Sequence, residues 1–374
     1  MPDWTPVFIL PNIRLTEAVE FDVAAFAPVQ DPRVKKIAQS HASFEQFLGR
    51  LTDAFGVPNE PTVLLVRSDA PKAFLHIEAL ASLRDLFSIA IVGYNRACLI
   101  RQYPNAHVIY GESLAFYPWM VDNEYRYLYG KTPASIGIHD VKKFRGQSSP
   151  GVPTLRLDQY SIDHPLVQKL LVHWRNRYES EKPERSDIAL FRSLNMAYHA
   201  SLMPEVISAS FYDLGRIISL WVSAFEILIH PGEGGRANLG AVVKLIEQAQ
   251  WLSLGCKRQD HEIKINNKLH KVTLASWLYQ KIYRCRCDFL HGEPVSSESL
   301  HLPVSGENLF WYAAPLYRVA LAASLGITVD DDTSLMSDDV HGYADVLTAR
   351  LGRHDIQHDF EQALLAAVQP PKSP

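Results

Sequence analysis

Three cations crowd the end of one helical stretch of the chain: Arg284, Arg286 and, when protonated, His291. Histidine takes or gives a proton near neutral pH. A guanidinium offers paired donors in a planar fork that matches the oxygens of a phosphate. Side chains of these types could together carry acid–base chemistry on an anionic substrate. Spacing alone leaves a plainer reading open, in which a cationic last turn offsets the helix dipole. Residues five apart on an ideal helix point about 140° away from each other. Arg286 and His291 therefore converge only if the helix breaks before His291, and Gly292 supplies a residue at which helices stop.

The rest of the chain must position these groups. At 374 residues it exceeds what one compact core usually holds, so two domains are expected. Hydrophobic residues make up 47% and charged residues 21%, the balance of a soluble globular protein. A formal charge of -4 excludes a global pull toward nucleic acid, so any such site is a local patch. Four cysteines in so long a chain do not form a disulfide framework and fit a reducing compartment. The opening Met-Pro-Asp-Trp-Thr-Pro carries no basic region followed by an apolar core. The most apolar stretch, Ile217 to Ile229, contains Glu226 and is shorter than the roughly 20 residues a bilayer span needs. A soluble, cytoplasmic protein without membrane partners is the expectation.

Residues 1–150 read as mixed α/β. Thr5–Leu10 and Thr62–Val66 have the β-branched, Pro- and Asn-bounded character of strands. Ile37, Phe44, Phe47 and Leu51 predict one helix over Pro32–Phe55, and a second fits His76–Ile100. Further strands are expected at His107–Tyr110 and Tyr125–Tyr129, and a linker at Gln147–Pro153. Residues 154–368 read as an all-α bundle, giving an α+β chain overall. Its helices are predicted at His164–Glu179, Arg185–Leu202, Pro204–His230, Arg236–Leu254, Leu274–Leu290, Leu309–Leu325 and His341–Val368. A hairpin over Glu262–Thr273, turning at Asn266-Asn267, is inserted before the helix that carries the cations.

Ile282-Tyr283-Arg284-Cys285-Arg286-Cys287-Asp288-Phe289-Leu290-His291-Gly292 resembles the signature of HEPN domains. It is most similar to the ApeA-like branch, which reads Tyr-x-x-Arg-x-x-x-(aliphatic)-His-Gly. Leu220 to Leu228, with its embedded Glu226, looks like the apolar helix that precedes the signature in that branch. The resemblance spans about residues 200 to 325, and Tyr283 sets its register on Arg286 rather than Arg284. Where the family often has Asn, Asp or His after the arginine, this chain has Cys287.

The resemblance implies an HEPN-type bundle and metal-independent RNA cleavage, with no cofactor. His291 is then the acid/base group, and Arg286 stabilises charge gathering on the phosphate oxygens. Glu226, Tyr283 and Asp288 are expected to support them, Glu226 by orienting Arg286 or His291. Arg284 and the hairpin lysines Lys264, Lys268 and Lys271 would hold the RNA backbone. A homodimer in which two motifs face one cleft is implied, as are roles in antiviral defence or as a toxin. Residues 1–150 would then sense a phage-derived trigger or select substrate, and an antitoxin is a further expected partner. A non-catalytic HEPN module for dimerisation or RNA holding is the alternative, favoured by Cys287 and the acidic balance.

Other motifs carry less. Cys285 and Cys287 on a helix point about 200° apart, which suits free thiols rather than zinc ligands. Gly232-Glu-Gly-Gly235 lacks the Lys-Ser/Thr of a phosphate loop and reads as a connection. Asp330–Asp332 and Asp338-Asp339 lack the glycine and distal Glu of a calcium loop.

Overall fold

The computed structural model describes every residue except 1–2, 22, 53–55, 103–107, 109, 115–118, 121, 133–134, 143–156, 204–210, 233–234, 330–355 and 371–374. The expected linker at Gln147–Pro153, Pro204, Ile109 and the acidic loop of Asp330–Asp339 lie outside the described residues. The chain forms two compact units. One comprises Met1–Arg84 with His107–Ser161, the other Asp85–Ala106 with Ile162–Pro374. Residues 85–106 thus group with the second unit, not with the first 150 residues as their sequence position suggested. No described helix is long and apolar enough to cross a membrane.

The first unit is built on a seven-stranded antiparallel sheet of order β3-β4-β5-β1-β6-β7-β8. Its strands are β1 (Trp4–Leu10), β3 (Val19–Phe21), β4 (Ala24–Pro28), β5 (Thr62–Arg67), β6 (Trp119–Met120), β7 (Tyr127–Thr132) and β8 (Ser135–Asp140). A two-residue pair, β2 (Ile13–Arg14) with β9 (Leu157–Asp158), runs parallel beside it. Alternation sends Ile9, Ala27, Val63 and Leu65 to the face where α1 (Pro32–Ser40) and α2 (Ala42–Leu48) lay down Val34, Ile37, Phe44 and Phe47. The single helix expected over Pro32–Phe55 is thus two. Asp31 caps α1 by accepting from Arg33 N at 2.8 Å, and the helix ends at His41 in extended backbone. Ser40 donates to the Lys36 carbonyl at 2.9 Å, and the His41 ring packs edge-on against Tyr125 at 4.8 Å. Ile37 and Phe44 are seven apart, so they stay in phase and the break leaves no mark in the periodicity. Tyr110 opens a short helix, α4 (Tyr110–Ser113), where a strand was expected.

The second unit is helical. It holds most of α3 (Ile77–Gln102), then α5 (His164–Glu179), α6 (Arg185–Leu202), α7 (Phe211–Leu228) and α8 (Leu239–Ile246). After these come α9 (Leu254–Lys257), the hairpin β10 (His261–Ile265) and β11 (Lys268–Val272), α10 (Leu274–His291), α11 (Ala313–Ser324) and α12 over residues 356–366. α7 is the hub: α6, α10 and α11 all pack on it. Phe225 packs tilted against Tyr279 at 4.7 Å and meets Tyr317 edge-on at 5.3 Å. The helix expected over Arg236–Leu254 stops at Ile246. Beyond it, Glu361 of α12 accepts from Leu252 N and Ser253 N, each at 2.6 Å, which replaces the helical partners of those amides.

One ion pair is wholly interior. Asp163 caps α5 through Leu166 N and receives Arg318 Nε at 2.7 Å, with Asp163 0% and Arg318 3% exposed. Arg318 also donates to Gln357 at 3.1 Å and lies over the Phe360 ring. Removing one partner strands a charge in the interior. Asp163→Ala is therefore expected to cost about 3–5 kcal/mol in urea denaturation. A loss below about 1 kcal/mol would make the pair no more valuable than a surface one.

Candidate functional site

The site is a stripe on α10. Thr273 starts the helix, its N–H and hydroxyl both donating to Glu247 at 2.9 and 2.7 Å. Tyr279, Tyr283 and Arg286 follow at intervals of four and three, which puts them on one side. Two contacts set the register of α7 against this helix. Phe225 lies on Tyr279, and Gly215 lies against Phe289. Ten residues separate each pair in opposite senses, so the helices run antiparallel. At Gly215 a Cβ would come within 2.7 Å of the Phe289 ring, so the close approach requires glycine.

This register brings Glu226 of α7 to the stripe. Burial holds the Glu226 carboxyl above its ordinary range, and the nearby Arg286 guanidinium opposes that shift. Arg286 is half-buried, and its Nε is sealed from solvent with no hydrogen-bond partner. Among the described residues no hydrogen bond or ion pair engages the guanidinium, and its outer nitrogens are not sealed. It is held by packing and by the field of Glu226. Tyr283 is half-buried, and its hydroxyl is pushed up by burial and then by the neighbouring Cys287. Expected neighbours Glu226, Tyr283 and Arg286 therefore do assemble.

His291 does not join them within the chain. The expectation that Gly292 frees it from the helix is corrected: α10 runs through His291, and the break comes one residue later. Gly292 takes the left-handed conformation, φ 75°, and its N–H and that of Glu293 both bond the Asp288 carbonyl. This cap keeps the last turn wound. His291 is exposed and stands about 140° around the axis from Arg286. Asp288 is also exposed, and no hydrogen bond or ion pair joins its carboxylate to His291. Arg284, two residues before Arg286, faces elsewhere. With the Gln280 amide oxygen turned toward it, Arg284 Nε donates at 2.5 Å.

The hairpin forms as expected, with Asn266 and Asn267 both at positive φ, 48° and 64°. His261 fastens it to α10 by lying 5.3 Å from Trp277, whose ring also carries Lys281 at 5.2 Å. The three lysines are exposed but do not form one patch. Lys264 and Lys271 share a face with Glu262, which pairs directly opposite Lys271, while Lys268 points to the other face.

Sequence reasoning missed Tyr279. It is 0% exposed, and its hydroxyl has no hydrogen-bond partner. Its signal was the four-residue step to Tyr283. All four cysteines are free, and among the described residues no group of three or more His, Cys, Asp or Glu side chains is placed to hold a metal. No family model, curated protein or solved structure matches the chain.

Two predictions follow from the burial of these groups. Burial pushes the Cys256 thiol up to about 11 and, with help from Asp288, Cys285 up to about 12. At pH 8 about one in a thousand or fewer is thiolate. Iodoacetamide should then modify the more exposed Cys287 well before either, as read by mass spectrometry. Equal labelling of Cys285 and Cys287 would show that the end of α10 opens. For Glu226, a raised folded-state pKa means that the folded protein binds the proton more tightly than the unfolded chain. Its favourable contribution is full below the ordinary carboxylate range and is lost as pH rises through the folded value. Glu226→Gln should therefore raise the melting temperature at pH 7, with the gain shrinking toward pH 4.

Proposed function

We propose that this chain is a metal-independent endoribonuclease of the HEPN type. The observation that carries the reading is Arg286: a half-buried guanidinium, unpaired, open at its outer nitrogens and backed by Glu226. A half-buried guanidinium that makes no hydrogen bond keeps its donors for a ligand. The planar fork suits two oxygens of a phosphodiester, and its charge stabilises the transition state in which a 2′-hydroxyl attacks the phosphorus. His291, exposed on another side of α10, serves the Arg286 of a second copy in a two-fold dimer, so that one cleft receives both groups. Its imidazole moves the proton of the attacking hydroxyl or the leaving oxygen. The products are a 2′,3′-cyclic phosphate and a 5′-hydroxyl. Lys264 and Lys271, exposed on one face of the hairpin, are further cations for the RNA backbone. Such an activity fits growth arrest in defence against phage, or a toxin restrained by an antitoxin.

A second reading, an RNA-holding module without catalysis, draws on the same geometry: Arg286 and His291 diverge within one chain, and Cys287 occupies the position after the arginine. The two separate cleanly. Wild-type protein is expected to cleave single-stranded or transfer RNA in EDTA. Arg286→Ala and His291→Ala should each lower the rate by about a hundredfold or more with the melting temperature kept. A mixture of the two variants should recover part of the activity, because a mixed dimer retains an unmutated group from each chain. Binding without cleavage by wild type, unchanged in His291→Ala, would establish the holding module instead.

A further inference from the structure

We propose that Tyr279 is a positioning residue of the phosphate site: in the ligand-bound state its hydroxyl holds the Glu226 carboxyl group, leaving the outer nitrogens of Arg286 to the oxyanion. The inference rests on the reading of Arg286 as a phosphate-binding group and adds to it the residue that manages the competing carboxylate.

Tyr279 is an unusual choice for its place. The ring is 0% exposed and clamped between Phe225 at 4.7 Å and Tyr283 at 6.3 Å. Phenylalanine would fill the same volume. The hydroxyl has no hydrogen-bond partner, and a buried unsatisfied hydroxyl destabilises the protein that contains it. It is nonetheless not isolated. After burial, the largest electrostatic influence on it is that of Glu226, followed by Tyr283, Arg286 and Cys287.

Two buried groups that can donate, the Tyr279 hydroxyl and Arg286 Nε, thus belong to residues within electrostatic reach of one carboxyl group. Phe225 and Glu226 are consecutive in α7, so the ring packing that locks Tyr279 also fixes where Glu226 enters. In the free protein the Tyr279 hydroxyl and Arg286 Nε have no partner, and burial disfavours the charged form of Glu226. One change gives partners to the hydroxyl, the carboxylate and the outer nitrogens of Arg286 together. An oxyanion takes the outer nitrogens of Arg286 and displaces the carboxylate from the guanidinium's field. The Tyr279 O–H then donates to that carboxylate and draws it away from the incoming negative charge. A hydroxyl unsatisfied at rest and used on binding explains why stability is given up here.

The test sets stability against binding. Tyr279→Phe and Arg286→Ala are compared with wild type for melting temperature, for affinity toward inorganic phosphate and a short oligoribonucleotide by calorimetry, and for KM and kcat of cleavage. Tyr279→Phe is expected to melt at the same or a higher temperature while binding both ligands about tenfold more weakly, with KM raised more than kcat is lowered. A lower melting temperature would show the hydroxyl already satisfied in the free protein and would overturn the proposal. So would affinity within twofold of wild type when Arg286→Ala has lost it. If Arg286→Ala itself binds phosphate as wild type does, the phosphate reading of the site fails along with the role of Tyr279.

Discussion

Everything distinctive about the helical unit depends on how closely α7 and α10 approach. A glycine at 215 lets the Phe289 ring sit against the α7 backbone, and Phe225 against Tyr279 fixes the other end. Between these two contacts the helices have no freedom to slide by a turn. That constraint places a carboxyl group from one helix beside a guanidinium from the other without a direct bond between them. Ridge-and-groove packing of this kind is insensitive to surface charge. It can therefore hold polar groups in arrangements that their own interactions would not choose.

Much of the fold was legible because burial follows period. His164–Glu179 and Arg185–Leu202 form with the bounds that their spacing indicates. The Asn266-Asn267 turn announces itself because few residues other than asparagine and glycine accept two successive positive φ values. What stayed hidden has a common physical origin. The break at His41 and the chain beyond the early end of α8 meet partners remote in sequence: Tyr125 in one case and Glu361 in the other. A local window contains the apolar rhythm but not the side chain that claims the backbone amides.

The site was legible in its membership more than its geometry. Glu226, Tyr283 and Arg286 come together, an expectation drawn from the resemblance rather than from spacing. His291 does not, because a left-handed glycine ends a helix after the residue before it and so preserves the final turn. The same cap that marks the motif in the sequence keeps its two principal residues apart in one chain. Tyr279 escaped notice since a buried tyrosine on an apolar face looks like core. Only its solitary hydroxyl distinguishes it.

The carboxylate of Glu361 has a consequence for the order in which the molecule is made. It satisfies the amides of Leu252 and Ser253, the first of them 109 positions earlier in the chain. Gln357 beside it reaches the Gln250 carbonyl and Arg318. A ribosome adds roughly 5–20 residues each second, so the segment leading to the hairpin and α10 waits several seconds for these partners. Through that interval the helical unit lacks its last structural member. A chain still in synthesis therefore carries Arg286 on an unfinished scaffold until Glu361 has emerged.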